Sequence, residues 1–181
     1  MEATTLRQVV PAAAATDVDW DEVFEQELPR VFNYFRYRLA DRTAAEDLTS
    51  ETFEKAWRAR GRYRADRGSV SSWLFAIARN VAVDHYRHRR PLVPLDAEPL
   101  VSGVPDPEDA ALREAERRRL AALLGALTSR EQELIALKYG AELTNREIAR
   151  QTRLSETNVG TILHRTVSSL RARWHAEGGE P

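Results

Sequence analysis

The residues with the most chemical content lie near the end of the chain: Thr157, Asn158, Thr161, His164 and Arg165. Their spacing puts all five on one face of a helix, and each side chain can hydrogen-bond a base edge or a phosphate. The segment before them, Leu143-Thr144-Asn145-Arg146-Glu147-Ile148-Ala149, reads as a short helix, and Arg153 and Ser155 mark a turn. Thr144 and Glu147 have the spacing of a capping box, and Ser155 is an N-cap candidate one turn before Val159. Ile148, Ala149, Leu154, Val159 and Ile162 are predicted to pack the two helices together. Val159, Ile162 or Leu163, Thr166 and Leu170 make the buried side of the second. This is the pattern of a helix-turn-helix, whose second helix can enter a DNA major groove, with Arg146 and Arg153 beside it. The turn position often held by Gly is Arg153, so either Arg153 takes a positive φ or the turn is built differently. An αα-hairpin in any helical bundle would show the same two capped helices.

A second cluster is basic with aromatics interleaved: Trp57, Arg58, Arg60, Arg62, Tyr63, Arg64, Arg67, Trp73, Phe75, Arg79, Tyr86, Arg87, Arg89 and Arg90. Arginines supply phosphate affinity that is independent of sequence, and exposed aromatics stack on unpaired bases. Helical spacing places Arg79, Asn80, Val83, Asp84, Arg87 and His88 away from an apolar stripe, and Trp73 is read as core. Just upstream, residues 45–57 are acidic on one face and apolar on the other. That face suits a protein partner with basic residues, or is an ordinary solvated surface.

Composition removes several function classes. The 181 residues include no Cys, so disulfides and thiolate metal sites are excluded. The four His lie among arginines, which disfavours a metal cation. No paired carboxylates sit beside a His, and no Gly-rich phosphate loop is present, so neither an enzyme nor a cofactor is expected. No apolar run approaches a membrane span or a secretory leader, which points to a soluble, cytoplasmic protein without membrane contact. The net charge of −1 conceals alternating blocks: −6 over residues 1–57, +7 over 58–90, −6 over 91–116 and +4 over 117–181. Blocks of one sign set partner choice.

These residues must be held by helices. An irregular, Ala-rich tail (1–18) precedes a helix from about Asp19 that carries Trp20, Val23, Phe24, Leu28, Val31, Phe32, Phe35 and Leu39, and Pro29 should kink or break it. A second helix is predicted to open on a capping box from Thr43 to Glu46, and a polar Arg-rich loop, Arg58 to Gly68, follows. A third runs from about Val70 to Arg89. Pro91, Pro94, Pro99, Pro105 and Pro107 with intervening acids make an extended linker over 91–108. A helix from about Glu108 to Ala126 comes next, then a capping box at Thr128 and Glu131 that leads to a stop at Gly140. The expectation is an all-α chain of two small helical domains on a string, 19–90 and 109–176, with a short tail at 177–181.

Three segments in this order, D-L-T-S-E-T-F-E-K-A-W, S-S-W-L-F-A-I-A-R-N-V-A-V-D-H-Y-R-H-R-R and L-T-N-R-E-I-A…L-S-E-T-N-V-G-T-I-L-H-R, resemble a bacterial RNA polymerase sigma factor. The similarity is to the small extracytoplasmic-function (ECF) group of the sigma-70 family and covers roughly residues 20–175. It implies binding to core RNA polymerase, through the beta-prime clamp helices and the beta flap, and to promoter DNA, with an anti-sigma factor as a further partner. By resemblance, Asp47, Leu48, Ser50, Glu51 and Phe53 meet the clamp helices; the family usually has Gln where Ser50 stands. Tyr63, Arg64, Arg67, Ser69, Arg79, Asn80, Asp84, Arg87 and His88 match the surface that captures the minus-ten element, where a flipped base is expected. The helix from Glu156 to Arg171 matches the minus-thirty-five reader. Many relatives carry Lys or Arg near Gly160 and Ile162 and this chain does not, which shifts phosphate contact to Arg153 and Arg165. The linker then either lies in the polymerase as an RNA mimic or is a passive tether. The competing class is a helix-turn-helix activator or repressor that binds operator DNA without core polymerase.

Overall fold

The computed structural model describes residues 18–39, 41–88 and 107–176. The predicted N-terminal tail to residue 17, the linker over 91–106, Arg89 and Arg90, the C-terminal tail, and the side chain of His88 lie outside the described residues. Among the described residues there are seven α-helices: α1 (Trp20–Leu39), α2 (Arg42–Ala59), α3 (Val70–His88), α4 (Pro107–Gly125), α5 (Ser129–Ile135), α6 (Asn145–Thr152) and α7 (Glu156–Ala176). No strand occurs among the described residues.

Helix α1 starts where the Asp19 carboxylate accepts the N–H groups of Asp21 and Glu22, and it runs unbroken through Pro29. Pro29 is exposed, so the carbonyl its ring leaves without an N–H partner can turn to water. The predicted break does not occur. The buried stripe of α1 is also not the expected one: Glu27, Val31, Tyr34, Phe35 and Arg38 are buried, whereas Phe24 and Leu28 are exposed. The charged groups of Glu27 and Arg38 can go inside because each meets a partner. Arg30 pairs with Glu27 (2.7 Å), and Arg38 Nη1 donates to the Ser129 carbonyl (3.1 Å).

Helix α2 is capped by Asp41, whose Oδ1 accepts from the Ala44 N–H (3.0 Å). The predicted box at Thr43 and Glu46 is overturned: Thr43 is already in the first turn, and Glu46 pairs with Arg42 (2.8 Å). An acidic cap two residues earlier satisfies the free N–H groups first. Two short 3-10 turns, Arg60–Arg62 and Ala65–Arg67, then lead into Gly68 at φ 151° and ψ 174°, a region essentially reserved for glycine. Ser69 caps α3, its Oγ accepting from the Ser72 N–H (3.2 Å).

The C-terminal half repeats two predicted devices. Thr128 and Glu131 form a complete capping box on α5, and Thr144 and Glu147 form another on α6. Between them α5 widens into a π-helical turn, Ala136–Gly140. Ala141 N–H bonds back to Ala136 O (2.9 Å) and Leu143 N–H to Leu137 O (3.0 Å). The widened turn lies against α1. A Cβ on Gly140 would stand 2.9 Å from Asn33 O and from Tyr34 N and Cα, so the turn fits backbone to backbone against α1 only with glycine. The two helical domains expected from the sequence are present, and they also pack on each other. Val31, Tyr34 and Phe35 of α1 share one buried cluster with Leu74 and Phe75 of α3 and with Leu134, Ala136, Leu137 and Ile148 from the second half.

Candidate nucleic-acid interface

The helix-turn-helix is built as its residues predict. Ile148 and Val159 are fully buried between α6 and α7, with Ala149, Leu154 and Ile162 packed around them. Arg153 ends α6 in the left-handed region, at φ 59° and ψ 27°, so an Arg does occupy the usual glycine position. Ser155 Oγ accepts from the Asn158 N–H (3.2 Å), which caps α7. On α7, Val159, Leu163 and Thr166 face inward, and Thr157, Asn158, Thr161, His164 and Arg165 are all exposed on the other side. Arg146 and Arg153 are exposed beside them. Thr161 Oγ1 donates to Thr157 O (2.9 Å), so it meets a ligand as an acceptor or through its methyl group.

Helix α7 is tied to its support by Glu131. The carboxylate is held below the usual glutamate range by the Thr128 hydroxyl and N–H, with Thr166 and Arg165 adding to the effect. The carboxylate that caps α5 thus also anchors the inner side of the recognition helix, through Thr166.

The basic-aromatic cluster is more constrained than its composition suggests. The Tyr63 ring packs against Trp73 (centroids 5.6 Å apart) and edge-on to Trp20 (6.2 Å), and its hydroxyl donates to Gly68 O (3.0 Å). Tyr63 therefore pins the loop, as well as presenting one edge. Arg64 is exposed and paired with Asp66, which lies below the ordinary aspartate range because of that hydrogen bond. Arg67 and Ser69 are exposed on the same loop. On α3, Asn80 and Arg87 are exposed, and Asp84 lies 3.9 Å from Arg87. Arg79 stands apart. It is half-buried, its Nε donates to Glu133 Oε1 (2.6 Å), and its Nη1 donates to the Gln151 carbonyl. The predicted open ribbon on α3 is thus interrupted at Arg79 by residues of α5 and α6.

On α2 the acidic face is outward: Asp47 and Ser50 are exposed, and Glu51 pairs with Lys55 (2.7 Å). Leu48 is 6% exposed and belongs to the core, so its side chain is not on that face. Phe53 packs on Phe24 (4.8 Å), and these two rings with Trp20, Val23, Trp57 and Leu74 line an apolar cleft of about 250 Å³. Phe24 and Trp57 are 46% and 54% exposed. Sequence reasoning placed Phe24 in the core and Trp57 in the basic cluster. Both rings stand on helices whose buried faces are filled by other residues, Val31, Tyr34 and Phe35 on α1 and Leu48, Thr52 and Ala56 on α2.

Among the described residues no group of His and carboxylates could hold a metal ion, and no helix is long and apolar enough to cross a membrane.

Comparison with known proteins agrees with this geometry. The family description Sigma-70 region 2 matches residues 23–91, and Sigma-70, region 4 matches residues 117–170. The chain is 31% identical over 153 residues to the ECF RNA polymerase sigma factor SigK of Mycolicibacterium vanbaalenii, covering 82% of this chain and 76% of that protein. It is 28% identical over 173 residues to the ECF sigma factor BldN of Streptomyces coelicolor, covering 93% of this chain and 66% of that one. In fold it is similar to the sigma factor RpoE of Bartonella quintana, solved in complex with the anti-sigma factor NepR. There the TM-score is 0.69 at 18% identity, over 85% of this chain and 95% of that one. The chain belongs to the ECF RNA polymerase sigma factors of the sigma-70 family. It acts in promoter-specific initiation of transcription, by binding core RNA polymerase and promoter DNA.

Proposed function

We propose that this chain divides promoter recognition among three surfaces. The exposed face of α7 reads the minus-thirty-five element through Thr157, Asn158, Thr161, His164 and Arg165, and Arg146 and Arg153 hold the flanking phosphates. The loop 63–69 with Asn80, Asp84, Arg87 and, once released, Arg79 engages the minus-ten element; His88 is included on sequence alone. Asp47, Ser50 and Glu51, with Phe53 at the edge of the apolar cleft, meet the clamp helices of core polymerase. Leu48 supports that face from within. The carrying observation is the recognition face of α7: five polar or basic side chains, all exposed, on a helix whose opposite side is fully packed.

The role is non-enzymatic and belongs to the cytoplasm, where polymerase works. The apolar cleft at Phe24, Phe53 and Trp57 stays exposed until a partner covers it, and an anti-sigma factor would compete there with polymerase.

Transcription in vitro with core polymerase and a promoter library tests the reading. Specific starts that depend on this chain are expected, together with weak binding of duplex DNA by the chain alone. Tight operator binding without core polymerase, and no specific start with it, would sink the proposal in favour of a conventional helix-turn-helix regulator.

A further inference from the structure

The recognition face of α7 has a centre, and the centre is not charged. At about 100° per residue, its five exposed side chains span about 120° of the helix surface. Thr161 lies at the middle of that arc. Asn158 and Arg165 stand on one side of it, and Thr157 and His164 on the other. Arg165 is also close enough to Glu131 to help hold that carboxylate ionised. Beyond His164 comes Gly160, which puts no side chain on that flank. The residues on and beside the centre line, Thr157, Gly160 and Thr161, are all short. A helix with short side chains there can bring its surface close to the floor of a major groove, where a central Lys or Arg would hold it away.

The hydrogen bonding of Thr161 narrows what it can read. Its Oγ1 donates its only proton to the Thr157 carbonyl (2.9 Å). It therefore has no donor for the N7, O6 and O4 acceptors of the major groove. The same bond draws the oxygen back against the preceding turn. The two branches of a threonine diverge, so the methyl group is left as the outward one on this exposed residue. Thymine alone among the bases carries an apolar group in the major groove, its C5 methyl. Two such groups attract only at about 3.5–4.0 Å, a distance that the short neighbours allow.

We infer that Thr161 is a specificity residue whose methyl group reads one thymine within the minus-thirty-five element. The Thr157 carbonyl acts through it, by fixing the hydroxyl and so aiming the methyl. The inference rests on α7 being the minus-thirty-five reader, and it adds which base stands at the centre of the helix's footprint.

The test uses the full chain bound to core polymerase. Promoters selected from a pool randomised over the minus-thirty-five positions should retain a thymine on one strand or the other. Each thymine there is then replaced in turn by deoxyuridine, which lacks the methyl group and keeps every base-pair hydrogen bond. At one position the affinity should fall about fourfold, as expected for the loss of one buried methyl group. Thr161→Ser keeps the hydroxyl and its bond to Thr157, and it should bind the thymine and deoxyuridine duplexes equally. Thr161→Val keeps a methyl without the hydroxyl and should still discriminate at least twofold. A selected element without thymine, or no effect of deoxyuridine at any position, overturns the inference. So does an effect that persists undiminished in Thr161→Ser, because the methyl is then read by another residue. A minus-thirty-five element left random by the selection overturns the assignment of α7 itself.

Discussion

Arg153 serves two ends that one substitution can separate. Its backbone ends α6 in the left-handed region at φ 59°, where an L-residue with a Cβ is strained by roughly 1–2 kcal/mol. Glycine would relieve that strain, while the extra freedom it gives the unfolded chain takes back about 0.4–1 kcal/mol. Arg153→Gly should therefore stabilise the free protein by about 0.5–1 kcal/mol, raising the melting temperature by about 2 °C for a chain of this size. The same change removes an exposed guanidinium beside the recognition helix. If Arg153 holds a phosphate, promoter affinity of the polymerase complex should fall, and the slope of log affinity against log salt should become shallower by about 1. Urea titration checks the first effect and salt-dependent promoter binding the second. Arg153→Lys separates them, since it keeps the charge and the strain: its stability should match wild type and most of the salt slope should remain. A glycine variant that is less stable would refute the strain argument. One that keeps the full salt slope would refute the phosphate contact.

Other outcomes follow from single contacts. Asp47→Lys with Glu51→Lys should weaken core polymerase binding at least tenfold with no loss of helix by circular dichroism, because both side chains point outward on α2; unchanged core affinity would remove that face from the interface. Tyr34→Phe deletes a buried hydroxyl that lacks a partner and should raise stability by about 1 kcal/mol in urea titration. The pH dependence centres on Glu147. Burial pushes its pKa up, but hydrogen bonds from the Thr144 N–H and hydroxyl and from Ser72 and Ser69 more than offset this, leaving it below the usual glutamate range. Its folded pKa is therefore lower than its unfolded one. The stabilisation is complete above the unfolded value near 4.5 and is lost as the pH falls through the depressed one. Wild type should thus be more stable than Glu147→Gln at pH 6, with the gap closing as the pH falls below about 4.5 in thermal melts.

The parts of the fold that were legible in the sequence are those decided locally. A Thr followed three residues later by Glu gave both capping boxes in the C-terminal half, because cap and carboxylate meet within one turn of one helix. At Arg153 the sequence left two builds of the turn open, and the structure takes the one with a positive φ. The exposed face of α7 came from helical period alone. Where two local signals competed, the reading failed. Thr43 and Glu46 have capping-box spacing, yet Asp41 stands two residues earlier and reaches the free N–H of Ala44. Pro29 broke the expected helix only on paper, because its exposed position leaves the freed carbonyl open to water.

What could not be read was which face of α1 is inner. Its apolar residues nearly encircle it, and period alone cannot choose among stripes. The choice comes from the elements that pack on it: α2, α3 and the π-turn Ala136–Gly140, the last about a hundred residues away in sequence. Once α1 is enclosed on both sides, Tyr34, Glu27 and Arg38 are buried and Phe24 is left outside. The same enclosure changes the meaning of Arg79. By position it is one of a row of polar and basic residues along α3, and in the folded chain it is held by a carboxylate of the other half. Glu133→Gln removes the charge of that carboxylate and leaves the half-buried guanidinium with a weaker partner beside the Gln151 carbonyl, so it should lower stability by about 1–3 kcal/mol in urea titration. Unchanged stability would show that the pair does not hold the two halves together.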